Sequence, residues 1–203
     1  AQVEAGLTKI RANLAKGVEK GKIGAEARDA AVARLSGHSD LASATTGADL
    51  VIEAVPETLA LKVQVLGESA KHAGEGAILA SNTSSLALTE IAAALPRPDR
   101  VIGMHFFNPV HVMKLLEVVR AHQTSDETLQ TVRGVGEKLG KQVIVVNDVP
   151  GFASILTAVL FLSTIRTNRW RYPIVASGLR LVVLIVGGLI YPALVESLIV
   201  RPN

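Results

Sequence analysis

Apolar positions near the start of the chain recur at intervals of three and four. Val3, Leu7, Ile10, Leu14 and Val18 form one stripe, which predicts an amphipathic helix broken by Gly21 and Gly24. Residues 25–35 predict a second, shorter helix closed by Gly37. The pattern then changes. Residues 49–55 are an almost continuous apolar run, as expected of a parallel strand buried on both faces. A helix follows from Glu57, with Leu61, Val65 and Leu66 on one side. Residues 77–80 predict a strand, and 86–95 a helix stopped by Pro96 and Pro98. Two more apolar runs, 100–104 and 115–119, predict strands. Residues 124–127, Thr-Ser-Asp-Glu, read as a capping box, followed by a stripe of Leu129, Val132 and Leu139 before Gly140. Residues 142–146 close the set as a strand. Alternating strand and helix patterns predict an α/β fold, a Rossmann-like parallel sheet with helices on both faces.

That alternation stops near residue 153, which divides the chain into units 1–153 and 154–203. The second unit runs apolar from Ile155, passes through Arg166, Arg169 and Arg171, and becomes apolar again. It predicts an atypical apolar helical tail. Residues 181–195 carry no charge until Glu196 follows, but a spanning helix needs about 20 apolar residues. Extending back to Tyr172 reaches that length only by including Arg180. Two readings of the tail stay open: a shifted reading frame, or a membrane anchor through 173–200 with the arginines on a cytoplasmic flank.

Composition removes other function classes. The formal net charge is +3, but lysines and arginines are scattered and aromatic residues are only 3% of the chain. No basic stripe with stacking rings points to nucleic acid. There are no cysteines, which excludes disulfides and thiolate metal sites, and the five histidines have no metal-ligand spacing. The start, Ala-Gln-Val-Glu, does not read as a signal peptide, so the cytoplasm is the default location.

The candidate chemistry lies in residues 105–117, His-Phe-Phe-Asn-Pro-Val-His-Val-Met-Lys-Leu-Leu-Glu. His105 falls at the carboxyl end of a predicted strand, where open α/β sheets place their chemistry. An imidazole there is suited to remove a proton near neutral pH. Glu117, returning on the next strand, would fix its tautomer and stabilise its charged form, as the carboxylate does in a catalytic triad. The competing reading is a loop histidine with a chance acid nearby.

The same segment, together with Asp49-Leu-Val-Ile-Glu-Ala-Val-Pro-Glu57, Ala80-Ser-Asn-Thr-Ser-Ser-Leu86 and Asn147-Asp-Val-Pro-Gly-Phe-Ala153, resembles the L-3-hydroxyacyl-CoA dehydrogenase family. The resemblance covers residues 1 to 153, with four motifs in order. It implies NAD as cofactor, an acyl-CoA substrate and hydride transfer from the substrate's 3-carbon. It implies His105 as general base, Glu117 as its partner, Asn108 beside base and nicotinamide, and Ser84 on the substrate oxygen and cofactor. It implies Glu57 and Lys62 as NAD contacts. Plainer readings stand beside these: Ser84 as a helix cap, Glu57 as a first-turn acid, Lys62 as a solvated lysine and Asn108 as a turn former. His111 reads as surface.

Two departures from the family pattern accompany the resemblance. No Gly-x-Gly-x-x-Gly occurs in the 203 residues, so the pyrophosphate cradle is missing. The expectation is a chain short of about one βα unit and a strand, on the order of 30 residues. After residue 154 the family continues into charge-rich helices that close over substrate and form the dimer contact, and carries a polar residue where this chain has Ile155. The chain is therefore expected to be an inactive or impaired fragment, or else a membrane-associated remnant.

Overall fold

The computed structural model describes residues 2–148 and the backbone of one later strand, Leu181–Leu184. Its centre is set by two short apolar strands, β1 (Leu50–Glu53) and β2 (Ile78–Ser81), both buried along their whole length. Strands buried at every position must be covered on both faces. Here α4 (Leu59–His72) and α5 (Leu88–Ala93) cover one face and α6 (Asp126–Lys138) the other. On the first face Val51, Leu79 and Val101 pack with Val65, Leu66, Leu88 and Ile91. On the second, Ile52, Ala80, Met104 and Leu116 pack with Leu129, Val132 and Val135. Each such fully buried aliphatic side chain contributes about 1.5–3 kcal/mol.

The remaining strands are β3 (Val101–Phe106), β4 (Leu115–Arg120), β5 (Gln142–Asn147) and β6 (Leu181–Leu184), and the sheet order is β5-β4-β3-β2-β1-β6. β1, β2, β3 and β6 run parallel, and β4 pairs parallel with β5. The pair β3–β4 is antiparallel. The uniformly parallel sheet expected from the alternation therefore reverses once. The reason is length: a parallel crossover needs a dozen or more residues, and only residues 107–114 join these two strands.

Two helices, α1 (Gln2–Glu19) and α2 (Ala25–Ala33), pack on each other through Ile10, Leu14 and Ala31, a cluster separate from the sheet's core. A short helix, α3 (Leu41–Thr45), is capped by Asp40, whose carboxylate accepts from the Ser43 N–H. The hydrophobic pattern does not forecast it, because five residues are too few to display a period. The capping box expected at Thr124 is displaced by one residue. Ser125 caps α6 by accepting from the Thr128 N–H, while the Thr124 hydroxyl donates to the Val101 carbonyl and accepts from the Ala121 N–H. Gly140, at φ +71°, ends the turn after α6 in the left-handed region that glycine enters without cost.

Within the tail, residues Leu181–Leu184 form a strand on the open edge of β1, in register from Leu50↔Leu181 to Glu53↔Leu184, where the pattern predicts helix. An uncovered edge of backbone N–H and C=O groups is a template that favours an extended partner over a helix. The other tail expectations, Ile155, the arginines 166–171 and the anchor through 173–200, lie outside the described residues. No helix among the described residues is long and apolar enough to cross a membrane.

Candidate active site

The site grows from strand alternation. Ile102, Met104 and Phe106 point to α6, so Val101, Gly103 and His105 point to the α4–α5 side. Antiparallel pairing sets His105 directly opposite Glu117, and directly opposed residues on one face bring their Cβ atoms to about 5 Å. Their side chains meet: His105 Nδ1 lies 2.7 Å from Glu117 Oε2. Glu117 is 1% exposed and the His105 side chain 13%. A carboxylate only accepts, so Nδ1 carries the hydrogen and donates it. Neutral His105 therefore has its lone pair on Nε2, which has no hydrogen-bond partner among the described residues. The Phe107 ring stands 4.6 Å from the imidazole, centroid to centroid.

Close backbone approach helps to make the pair. A Cβ on Gly103 would lie 2.7 Å from Val119 Cβ and 3.4 Å from Leu88 Cδ2. Glycine two residues before His105 thus lets α5 and β4 come in against β3 just below the site.

A second cluster lies beside the first, at the carboxyl ends of β1 and β2. Glu53, fully buried, accepts from the Val55 N–H, the Ser81 hydroxyl and Lys62 Nζ. Lys62 is 1% exposed; it also donates to the Val55 carbonyl and stands 3.2 Å from Glu57 Oε2. It is thus an internal cation, and the alternative of a solvated surface lysine is corrected: a four-carbon ammonium can lie this deep only where two carboxylates and a carbonyl replace its water. Glu57 Oε1 accepts from the Thr83 hydroxyl at 2.5 Å and from the Ser84 and Ser85 N–H groups at 2.9 and 3.0 Å. Burial pushes the Glu57 carboxyl up, but those bonds and the Lys62 charge outweigh it and hold the group at about 2. Glu57 lies before α4, so it anchors the 83–85 turn instead of serving as a first-turn acid.

Ser84 is exposed on that turn, its N–H given to Glu57. It does not cap α5. That helix's first N–H groups, of Leu88 and Thr89, go to the Asp148 carboxylate at 3.1 and 2.6 Å. Asn108 is exposed in the loop three residues after His105, and His111 is exposed further along it. The fold therefore joins His105 to Glu117 and joins Ser84, Glu57 and Lys62 in one network. No hydrogen bond ties Asn108 to either cluster among the described residues.

Three polar residues of this region escaped the sequence reading. Glu53 was legible as an acid within an apolar run. Asn82, whose side chain joins β2 to β3, and Lys141, whose ammonium donates to the Val110 and Met113 carbonyls under the site loop, had no local signal.

A mostly parallel α/β sheet with a histidine–carboxylate pair at a strand's carboxyl end is the arrangement expected of an enzyme that moves a proton where an open α/β sheet holds its ligand. Residues 1–149 match the family described as "3-hydroxyacyl-CoA dehydrogenase, NAD binding domain", and the chain belongs to that family. It is 48% identical over 151 residues to the "Probable 3-hydroxybutyryl-CoA dehydrogenase" of Bacillus subtilis, covering 74% of this chain and 52% of that protein. It is 45% identical over 148 residues to the fatty acid oxidation complex subunit alpha of Idiomarina loihiensis, covering 73% of this chain and 20% of that one. Among solved structures, the (S)-3-hydroxybutyryl-CoA dehydrogenase of Ralstonia eutropha superposes with a TM-score of 0.72 at 39% identity, over 78% of this chain and 56% of that chain. The chain thus spans about half the length, or less, of these relatives.

The donors and acceptors present, a carboxylate, hydroxyls, an amide and an imidazole, are of the kind that can hydrogen-bond a nicotinamide or a ribose. Glu57 and Ser84 share one hydrogen-bonded turn, Asn108 is exposed in the loop after β3, and His105 Nε2 has no hydrogen-bond partner among the described residues. The described residues offer no glycine turn for the pyrophosphate.

Proposed function

We propose that this chain carries the base-bearing part of a dehydrogenase that oxidises the 3-hydroxyl of an (S)-3-hydroxyacyl-CoA to the 3-oxo compound. The observation that carries the reading is the His105–Glu117 pair, with Nδ1 given to the carboxylate at 2.7 Å and Nε2 left to act. NAD, when bound, supplies the acceptor for the hydride from the substrate's 3-carbon. His105 Nε2 takes the hydroxyl proton, so the alcohol loses one hydride and one proton and the C–O bond becomes a carbonyl. Glu117 keeps the ring in the tautomer that exposes Nε2 and neutralises the imidazolium that forms. Ser84 would donate to the substrate's oxygen, and Asn108 would hydrogen-bond beside the base without competing for its proton. Glu57 and Lys62 would act together on the cofactor side, Lys62 through Glu57, since its ammonium is already committed to Glu53, the Val55 carbonyl and Glu57.

The test uses a hybrid in which residues 2–148 replace the matching segment of the Bacillus subtilis relative, because the 203 residues hold no Gly-x-Gly-x-x-Gly. NADH formation from (S)-3-hydroxybutyryl-CoA is expected, and His105→Ala should lower kcat by about 10²–10⁴, the usual worth of a positioned base. A hybrid that is folded and inactive, or one whose kcat ignores the substitution, refutes the reading.

A further inference from the structure

The ladder between β2 and β3 ends early. Its last paired residues are Ser81↔Gly103, two residues short of His105. Beyond that point the strands are joined by a side chain: Asn82 Oδ1 accepts from the Phe106 N–H at 2.9 Å. The backbone of Asn82 is fixed from the other side, where its N–H donates to the Glu53 carbonyl of β1 at 2.8 Å. Asn82 thus spans three strands, with its main chain on β1 and its side chain on β3. The orientation of its amide is not in doubt chemically. A backbone N–H can only donate, so the oxygen of the amide must face Phe106. The partner N–H belongs to the peptide that follows His105 directly. That peptide is on the β2 side of β3, while Glu117 holds the imidazole from the β4 side.

We propose that Asn82 is a positioning residue of the active site: its side-chain carbonyl fixes the peptide after His105 and so holds the imidazole in line between β2 and β4. The proposal deepens the dehydrogenase reading, on which its consequence for catalysis rests. The geometry accounts for the residue type. An alanine has no acceptor, and a serine hydroxyl is one atom shorter than the amide oxygen. An aspartate keeps an acceptor at the same distance, but adds a negative charge near Glu53, Glu57 and Glu117.

Three measurements on the full 203-residue chain decide the matter without any activity. In the unmodified chain, a scalar coupling across the hydrogen bond between the Phe106 amide nitrogen and the Asn82 side-chain carbonyl carbon should be seen by NMR; its absence overturns the proposal. In Asn82→Ala, exchange of the Phe106 amide should rise at least about tenfold, the equivalent of losing about 1.4 kcal/mol. The downfield proton on His105 Nδ1 should shift or broaden with it. Ile102 and Met104, on the same strand, should keep their protection. An equal rise at all three amides would mean that Asn82 merely holds the core, and an unmoved Nδ1 proton would mean that it does not position His105; either result overturns the proposal. Asn82→Asp should retain the Phe106 protection, and its loss there would count equally against the idea. In the active hybrid, Asn82→Ala should lower kcat by roughly 10–10² while KM changes little. If His105→Ala leaves kcat intact, the dehydrogenase reading fails, whereas the coupling and exchange results still stand or fall on their own.

Discussion

At the scale of single residues, the site depends on carboxylates whose oxygens are already engaged. Glu117 has its Oε2 on His105, and Glu57 has its Oε1 on the 83–85 turn. The second arrangement has a pH signature. The Glu57 carboxyl lies at about 2 in the fold against an ordinary 4.5, so the folded chain binds fewer protons than the unfolded one between these values. Its contribution to stability is complete above pH 4.5 and disappears as the pH falls towards 2. Because Glu57 is partly exposed, solvent screening keeps the effect local. Amides of Ser84 and Ser85 should therefore lose exchange protection on acidification through this window, ahead of the β-strand amides. In Glu57→Gln the same amides should be less protected at neutral pH and should not respond to acid. Protection in the variant that equals the parent at pH 6 and falls identically in acid would show that the Glu57 charge does not hold the turn.

At the scale of elements, the β1–α4 and β2–α5 connections are locked together by one buried cation. Lys62, on the first turns of α4, reaches back to Glu53 on β1 and to Glu57 in the loop between them. Removing one member of a buried pair strands the other's charge, at a cost of about 3–5 kcal/mol. Lys62→Met, of similar volume, should therefore lower the unfolding free energy in urea by that amount. Lys62→Met combined with Glu53→Gln should recover part of it, because no buried charge is then left alone. A double variant no more stable than the single one would mean that the pair's charges are not what matters. The same elements show why α5 starts where it does. Its first two N–H groups wait for Asp148, some sixty residues later, so no local cap marks the start in the sequence.

At the scale of the whole molecule, Lys141 ties the end of the α6–β5 unit to the loop between the two site strands. Burial pushes its ammonium down from 10.5 to about 8. The neighbouring titratable groups are otherwise placed: His105 pairs with Glu117, and Glu137 with Arg133, while His111 and Lys114 are exposed in the loop. The sign follows from linkage. Between pH 8 and 10.5 the unfolded chain holds a proton that the folded chain has released, so stability attributable to Lys141 rises with pH across that window. The difference in unfolding free energy between the parent and Lys141→Met should move in the parent's favour from pH 7.5 to pH 10, measured by urea titration. A difference that is constant with pH would show that the Lys141 amine titrates normally. A further consequence of the whole assembly is β6. A strand from the tail takes the edge beside β1, a place no periodicity in its own residues points to.

Sequence alone determined the α1 to α2 stripe, the apolar strands and the helix faces, because each follows from short-range periodicity of residues that must leave water. It also offered the His105–Glu117 pairing, beside the competing reading of a loop histidine with a chance acid nearby, and the antiparallel register of β3 and β4 decided between the two. Tertiary structure decided what depends on contacts between distant segments. The reversal at β4 came from the reach of an eight-residue link, and the burial of Lys62 from carboxylates on β1 and its loop. The place of Asn82 was decided by a ladder that stops before His105 and leaves one backbone N–H to be met by a side chain. Hydrogen-bond partners that lie tens of residues away leave no mark on local pattern. Only packing the two faces of the sheet brings them within reach.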